Sequence, residues 1–497
     1  MLSRGASRRR FPKSGVVLAG AGVLAACGAT PTPQVIEKVV EREVTKIVEG
    51  TPQVVKETVV VEQVVERTVV VEVTAPVPAA EGPLFLVFAT QNSGPPTNIG
   101  EQQLVAQFEE ANPGIKVKLA TWPGQDFHDK LRLLATAGDL PDAFDLETKQ
   151  TIDMISRGMF LDITELFTSD SGLTKDDYWP NEWEKAWFRG KQYTLPLDTQ
   201  NGIIFYNKTL FDAKGIPYPP KDWDDKTWTY DALLEAALNI TEGEGPTRKW
   251  GFVTSRGFYW SYPQVWSFGG LVTNEDRTES RLTMPETIDA YQYRGDLINK
   301  HKVMPPPADM TEGTETMFTS GRLGMHLVWS PWSWYIKDVP ELKWDIGVTP
   351  YGAGGSFTRG PQDCVAIGAQ TKHPKEAFQV GMYMAGPDGQ RLLCNEIGLG
   401  LPTLMKVAEE ESSVRPHNVP GLEHLGQTLL LELYRKGHVK HQDVTIKWPE
   451  MTRMIQPELD KLLEGTATAE EMCKTLDPQI TELLQSIPEE WRGWIGD

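Results

Sequence analysis

Cysteine is scarce in this sequence: Cys27, Cys364, Cys394 and Cys473 are the only four in 497 residues. That is too few for a disulfide framework, and their spacing does not suit a zinc site. Cys364 and Cys394 could bridge in an oxidising compartment; buried free thiols are the alternative. Basic residues are also short, with 49 Lys and Arg against 68 Asp and Glu, a formal charge of −19. They form no stripe after residue 83, which excludes a surface that tracks nucleic-acid phosphates. No apolar run reaches the roughly 20 residues needed to cross a bilayer. Absent too are the G-x-S-x-G and H-E-x-x-H signatures of hydrolytic sites. The pair His438 and His441 in HVKH has no third ligand nearby and reads as a solvated face, so no metal or cofactor is expected.

The first residues, MLSRGASRRRFPKSGVVLAGAGVLAACGAT, hold five basic and no acidic residues before an apolar run from Val16 to Ala26. That arrangement is an export signal, expected over residues 1–26. LAAC, Leu24 to Cys27, resembles the lipobox of bacterial lipoproteins, which implies lipidation of Cys27 and anchoring to the outer face of the cytoplasmic membrane. SRRRFPK, Ser7 to Lys13, resembles a twin-arginine motif, although Pro12 departs from the usual apolar residue; a general secretory signal is the alternative. Removing residues 1–26 leaves 44 basic and 68 acidic residues, a formal −24. Such a charge favours solubility and disfavours anionic ligands.

Residues 27–82 form a second region. From residue 28 it holds seventeen valines and no aromatic residue, with a recurring Val-Val-Glu theme. Without aromatics or Leu it cannot fill a core, so a stalk is expected, extended or weakly associating; a short coiled coil is the rival, interrupted by Gly50-Thr51-Pro52. At roughly 3.3 Å per extended residue, it would hold the body well over ~100 Å from its anchor.

From Leu84 the texture changes. LFLVFATQ reads as a buried strand, and in EQQLVAQFEEANPGIKVKLATW, Leu104, Val105 and Phe108 share a helical face before Asn112-Pro113-Gly114 stops the helix. Ile115, Val117 and Leu119 then alternate as a strand, and DKLRLLATAGDLPDAFDL repeats the pattern with Gly138 as the stop. Alternating strands and helices predict an α/β fold with a largely parallel sheet, whose ligands sit at the carboxyl ends of the strands.

Six segments in order, FEEANPGIKVKLATW, KLRLLATAGDLPDAF, GMFLDITELF, GKQYTLPLDTQNGIIFYNKTLF, FTSGRLGMHLVWSPW and AIGAQTKHPKEAFQVGMYM, resemble the family 1 extracellular solute-binding proteins of bacterial ABC importers. The resemblance covers residues 84–484. It implies a two-lobed periplasmic-binding-protein fold of the type II kind, preceded by the stalk. Lobe 1 is expected over residues 83–198 and 351–400, and lobe 2 over 199–350 and 401–497. A sugar would lie in the cleft, the lobes would close over it, and an ABC permease would receive it from a monomeric binder. YGAGGSF, Tyr351 to Phe357, reads as a flexible loop between the lobes.

The same resemblance nominates ligand contacts. SPWSW matches a family segment whose first Trp lies against a pyranose ring, which places that role on Trp332, while Trp334 would point elsewhere. GFYWSYPQVWSFGG places a second stacking ring on Tyr259, with Trp266 expected in the core. LPLDTQNGIIFYNK puts Gln200 where the family's maltose binder has a Glu, flanked by Asp198 and Asn201; capping of a hinge turn is their purely structural alternative. Gln both donates and accepts, which suits hydroxyls. The first-lobe Trp and Asp-Arg pair of that binder fall on Leu146, Lys149 and Gln150, so maltose itself is not expected. Glu147, Lys149 and Gln150 should still face the cleft, with Gln91 and Asn92 after the first strand and Trp448 from the C-terminal helices. Rival functions are a secreted glycoside hydrolase using a pair such as Glu147 and Asp198, a binder of a polyol or glycerol phosphate, and a stalked adhesion protein.

Overall fold

The computed structural model describes residues 39–48, 51–60, 82–92, 94–306, 309–310, 312–360, 362–410 and 428–492. The export signal and Cys27 lie outside the described residues.

Part of the Val-rich segment pairs as a hairpin. Strand β1, Val39–Val48, runs antiparallel to β2, Thr51–Val60, with Val48 opposite Thr51 and Val39 opposite Val60. Over these twenty residues the chain is a ladder of two extended strands paired with each other, not a coiled coil.

The body, Glu81–Asp497, is a separate compact unit. Its first strands are β3, Leu84–Asn92, β4, Ile115–Pro123, and β5, Ala143–Glu147; the short pair β6, Trp187–Phe188, and β7, Lys191–Gln192, follows. Next come β8, Thr194–Thr199, β9, Gly202–Asn207, β10, Trp250–Thr254, β11, Leu323–Trp329, and β12, Trp344–Gly347. The last are β13, Thr358–Arg359, β14, Gln362–Ile367, β15, Leu401–Pro402, and β16, Val439–Lys440. Two larger sheets organise them: six strands in the order β15-β8-β14-β5-β3-β4, and four in the order β10-β11-β9-β12. Each is the centre of one lobe.

The expected parallel sheet is in fact mixed. Strands β4, β3 and β5 are parallel, as the helical crossovers between them require, but β14 is antiparallel to both β5 and β8 because it returns from the other lobe. Side-chain alternation then gives the six-stranded sheet two apolar faces: Val365 and Ile367 of β14 join Leu86, Phe88 and Leu195 on one, while Cys364 and Ala366 join Ala89, Phe144 and Leu146 on the other. The four-stranded sheet packs with the C-terminal helices Trp448–Leu463 and Ala469–Gln485 in a larger core.

Local signals explain the elements. Helix Pro95–Ala111 buries Leu104 and Phe108, and Asn112 ends it by donating both its backbone and side-chain N–H to Phe108 O. Helix Gly124–Ala137 ends at Gly138 with φ 77°, a left-handed conformation that glycine adopts without strain. Cys364, Cys394 and Cys473 are buried and outside any disulfide. YGAGGSF is not loosely held: Tyr351 N–H donates to Trp228 O at 2.7 Å, Gly354 N–H donates to Ser267 O at 2.8 Å, and a Cβ at Gly352 would meet Ser267 O at 2.1 Å. Its glycines serve close packing rather than motion.

Candidate ligand-binding site

The carboxyl ends of the strands converge on a cavity of about 250 Å³. Gln91 at the end of β3, Asp145 and Glu147 on β5, Lys149 just beyond it and Asp363 on β14 line it from the six-stranded sheet. Tyr259, Trp329 at the end of β11, and Tyr335 face them from the other lobe. Gln200, between β8 and β9, and Arg359 on β13 belong to the segments that cross between lobes. Opposing polar and aromatic walls suit a ligand with an apolar ring face and a hydroxylated edge.

The aromatic wall is layered. The Arg359 guanidinium lies 4.7 Å from the Tyr259 ring centroid and 4.4 Å from that of Trp260, while Lys149 Nζ lies 5.0 Å from Tyr259. Trp260 is buried 6.3 Å behind Trp329. Gly257 makes room for the Tyr259 ring, since a Cβ there would sit 2.9 Å from its Cε1.

The polar floor is dense with carboxyl groups. Across adjacent strands Glu147 pairs with Asp363, and Asp363 with Asp198. Gln200 Nε2 donates to Asp363 Oδ2 at 2.7 Å and lies 3.4 Å from Asp198 Oδ2. Asp145 accepts from the Gln91 N–H at 3.0 Å and from Thr90 Oγ1 at 3.1 Å, and Thr90 also bonds Glu101. Burial pushes Asp145 up to about 7 and Asp198 up to about 8. Burial, then the charges of Asp198 and Glu147, hold Asp363 well above the usual carboxylate range. Burial also opposes ionisation of Glu147, but its ion pair with Lys149 and the nearby His128 and Arg359 outweigh it and lower its pKa.

These shifts predict a falling stability on the alkaline side. Asp198 is 2% exposed, and its folded pKa near 8 stands above its ordinary 3.8. The folded chain therefore keeps a proton that the unfolded chain has released; the associated stability is complete below 3.8 and is lost as pH rises through 8. An unfolded His, ordinarily near 6.5, is about nine-tenths neutral only one pH unit higher, so the stretch from about 7.5 to about 8 is where carboxyl groups dominate the profile. Unfolding free energy of the ligand-free protein should fall in it by up to about 1.4 kcal/mol per pH unit for this group, and Asp198→Asn should make the decline shallower. Denaturant titrations at stepped pH check this; a flat profile would show that Asp198 is ionised in the folded chain.

Among the expected contacts, Gln91, Glu147, Lys149, Gln200 and Tyr259 are brought together here. Trp332 is not. It is 4% exposed and enclosed edge to face by Phe205, Phe318 and His326 at 5.1, 5.1 and 4.6 Å, because the 3-10 turn Ser330–Trp332 carries it back into the lobe. Trp329, three residues earlier, holds the cleft position. Trp448 is equally buried, against Phe258 and Tyr262. Asn201 is fully buried and donates to Arg359 O at 3.2 Å, the hinge-capping alternative. Asp198 lies behind Gln200, outside the cavity lining, and Gln150 Oε1 accepts from Arg132 at 2.8 Å. The Asn92 side chain lies outside the described residues. Trp266 is in the core as expected.

Asp145, Trp329, Tyr335, Arg359 and Asp363 were missed. The rule that ligands meet strand carboxyl ends could have found Asp145 and Trp329, since both sit near the ends of strands. Nothing in the sequence marks Arg359 or Asp363, which reach the cavity through the crossover. His438, stacked on Trp223, directs Nδ1 to Ser356 O at 2.8 Å. Among the described residues no group of three His, Cys, Asp or Glu is placed to hold a metal ion.

Two α/β lobes with a polar and aromatic cleft at their crossover define the class of two-lobed ligand binders. Residues 94–391 match the model of the bacterial extracellular solute-binding protein family, and the chain belongs to it. The family and fold are those of binding proteins rather than enzymes. A binding protein of Brucella abortus is 27% identical over 286 residues, 56% of this chain and 66% of that protein. The match thus spans just under two thirds of that relative's length. The maltodextrin-binding protein MdxE of Bacillus subtilis is 24% identical over 255 residues, 50% of this chain and 56% of its own. In fold, the ABC substrate-binding protein Lmo0181 of Listeria monocytogenes, in complex with cycloalternan, has a TM-score of 0.72 at 22% identity, covering 81% of this chain and 99% of that one.

Proposed function

We propose that this protein is the lipid-anchored, extracytoplasmic substrate-binding component of an ABC importer, capturing a carbohydrate by lobe closure and delivering it to the permease. The observation that carries the reading is the pairing of half-exposed Trp329 and Tyr259 with Gln200, Asp145 and Glu147 across one cavity. Ring faces meet a pyranose's C–H face, and carboxylates and amides accept or donate to its hydroxyl edge. Oligosaccharide-bound neighbours such as the cycloalternan complex support the same ligand class. Glu147, Lys149, Gln200, Gln91 and Tyr259 are the contacts we retain, with Trp329 in place of Trp332. Cys27 would carry the lipid, and the Val-rich segment would separate body from membrane.

A thermal-shift screen against mono- and oligosaccharides, polyols, amino acids and peptides tests the reading. A carbohydrate at a hundredfold excess over its Kd should stabilise the folded protein by about 2.7 kcal/mol. Silence across carbohydrates with a response to another class would discard the sugar, and cleavage of an oligosaccharide in the same wells would revive the hydrolase.

A further inference from the structure

Arg359 brings to the cavity a cation without a partner among the described residues. It lies on the segment that crosses between the lobes and lines the cavity, yet is only 5% exposed. Its guanidinium lies against the rings of Tyr259 and Trp260, which answer a buried charge only in part. Among the described residues its side chain makes no ion pair or hydrogen bond, and its Nε–H has no acceptor. The acidic residues nearby are engaged elsewhere. Glu147 feels the charge of Arg359 but is ion-paired with Lys149. Asp363 and Asp198 face each other across adjacent strands and share the Gln200 amide rather than a cation, while Asp145 shares Thr90 with Glu101. Carboxyl groups crowded in this way and removed from water keep their protons, and burial raises all four. Burial also holds His128, beside Glu147, neutral by lowering its pKa to about 4. On the acid side of neutrality two cations, Lys149 and Arg359, therefore stand against one carboxylate, Glu147.

We infer that the ligand is a saccharide bearing a carboxylate, which accepts from the Arg359 guanidinium while a sugar ring lies on the aromatic wall. The inference rests on the carbohydrate reading above and narrows it to acidic sugars. A neutral sugar would leave the guanidinium desolvated and without a counter-charge once closure excludes water, which is costly. A carboxylate matches a guanidinium both in charge and in its planar pair of acceptors. A phosphate ester would bring up to about two negative charges to a site with one to spare. Protonated Asp145 and Asp363 do not repel a carboxylate and can donate to it. The overall acidity of the chain acts at long range, where physiological salt screens it beyond about 8 Å. At contact distance the cavity's own charges decide.

Calorimetry on the purified protein near pH ~6 tests this with trimers of glucuronate, galacturonate and mannuronate, each beside its methyl ester and its neutral hexose counterpart. An ordinary carboxylic acid, with a pKa of about 4, is ionised there. At least one acid trimer should bind at least about tenfold tighter than both of its neutral counterparts, about 1.4 kcal/mol. Arg359→Met should bring that ratio close to one. Arg359→Lys keeps the charge without the planar fork and should leave an intermediate ratio, which also serves if the Met variant does not fold. A margin that survives both substitutions overturns the role of Arg359. Binding of any neutral saccharide as tightly as the best acid trimer, or with every acid trimer silent, overturns the carboxylate and keeps the sugar. No response to any saccharide overturns both readings.

Discussion

Trp332→Ala should lower the unfolding free energy by about 3–5 kcal/mol, the range for deleting a buried Trp, whereas Trp329→Ala should leave the ligand-free protein close to the parent. The reason is the enclosure of each ring. Trp332 is covered by Phe205, Phe318 and His326, so truncation opens a cavity in a core that cannot collapse easily. His326, whose pKa burial lowers to about 3, would gain a path to water there. Trp329 is half-exposed at the end of β11 with Trp260 behind it, so its loss removes a ligand-facing surface. For Trp329→Ala the expected change is at least about tenfold weaker ligand binding, about 1.4 kcal/mol. Denaturant melts and titration with the identified ligand read the two effects separately. A folded Trp332→Ala protein that has lost its ligand, beside a Trp329→Ala protein that binds normally, would reverse the assignment.

That contrast shows what the residues of SPWSW could and could not reveal. Their identity marked an aromatic wall near the end of a strand, and one exists. Which indole faces the ligand depended on the 3-10 turn Ser330–Trp332, whose one-turn rotation is a matter of local backbone geometry rather than composition. The larger pattern was more legible, because it rests on periodicity: Leu104 and Phe108 on one helical face, the Asn112 stop, and the alternation of β4 are all borne out. The Val-rich segment was ambiguous for the same reason. Val-Val-Glu repeats fit a strand, a spacer or a poor heptad, and long-range pairing chooses among them. Arg359 and Asp363 were illegible because neither touches a neighbour in sequence; β13 and β14 bring them to the cavity only after the chain has left one lobe and returned.

The crossover region holds a second ion pair whose disruption should be as damaging as that of the Trp332 core. Lys185, 2% exposed, donates to Glu182 Oε2 at 2.5 Å and to Gly360 O at 2.7 Å. Tyr434 donates to Glu182 Oε1 at 2.8 Å and lies 2.6 Å from Thr199 Oγ1. The network thus joins the segment Pro180–Lys185, the end of β8, the link between β13 and β14, and helix Thr428–Arg435. Gly360 allows close packing beside the network, since a Cβ there would meet Val439 at 2.6 Å and His441 at 3.1 Å. Burial lowers the pKa of Lys185 while Glu182 raises it, so the amine depends on that carboxylate to stay charged. Lys185→Met should therefore cost about 3–5 kcal/mol by leaving Glu182 buried without its cation. The double change Glu182→Leu with Lys185→Met should cost less than the single one, because the charges leave together. A double variant as unstable as the sum of the two singles would mean that the residues act independently. Because the bonded partners lie on the strands that cross between lobes, the single variant should also alter the ligand affinity of whatever fraction remains folded, through the position of Gln200 one residue beyond Thr199.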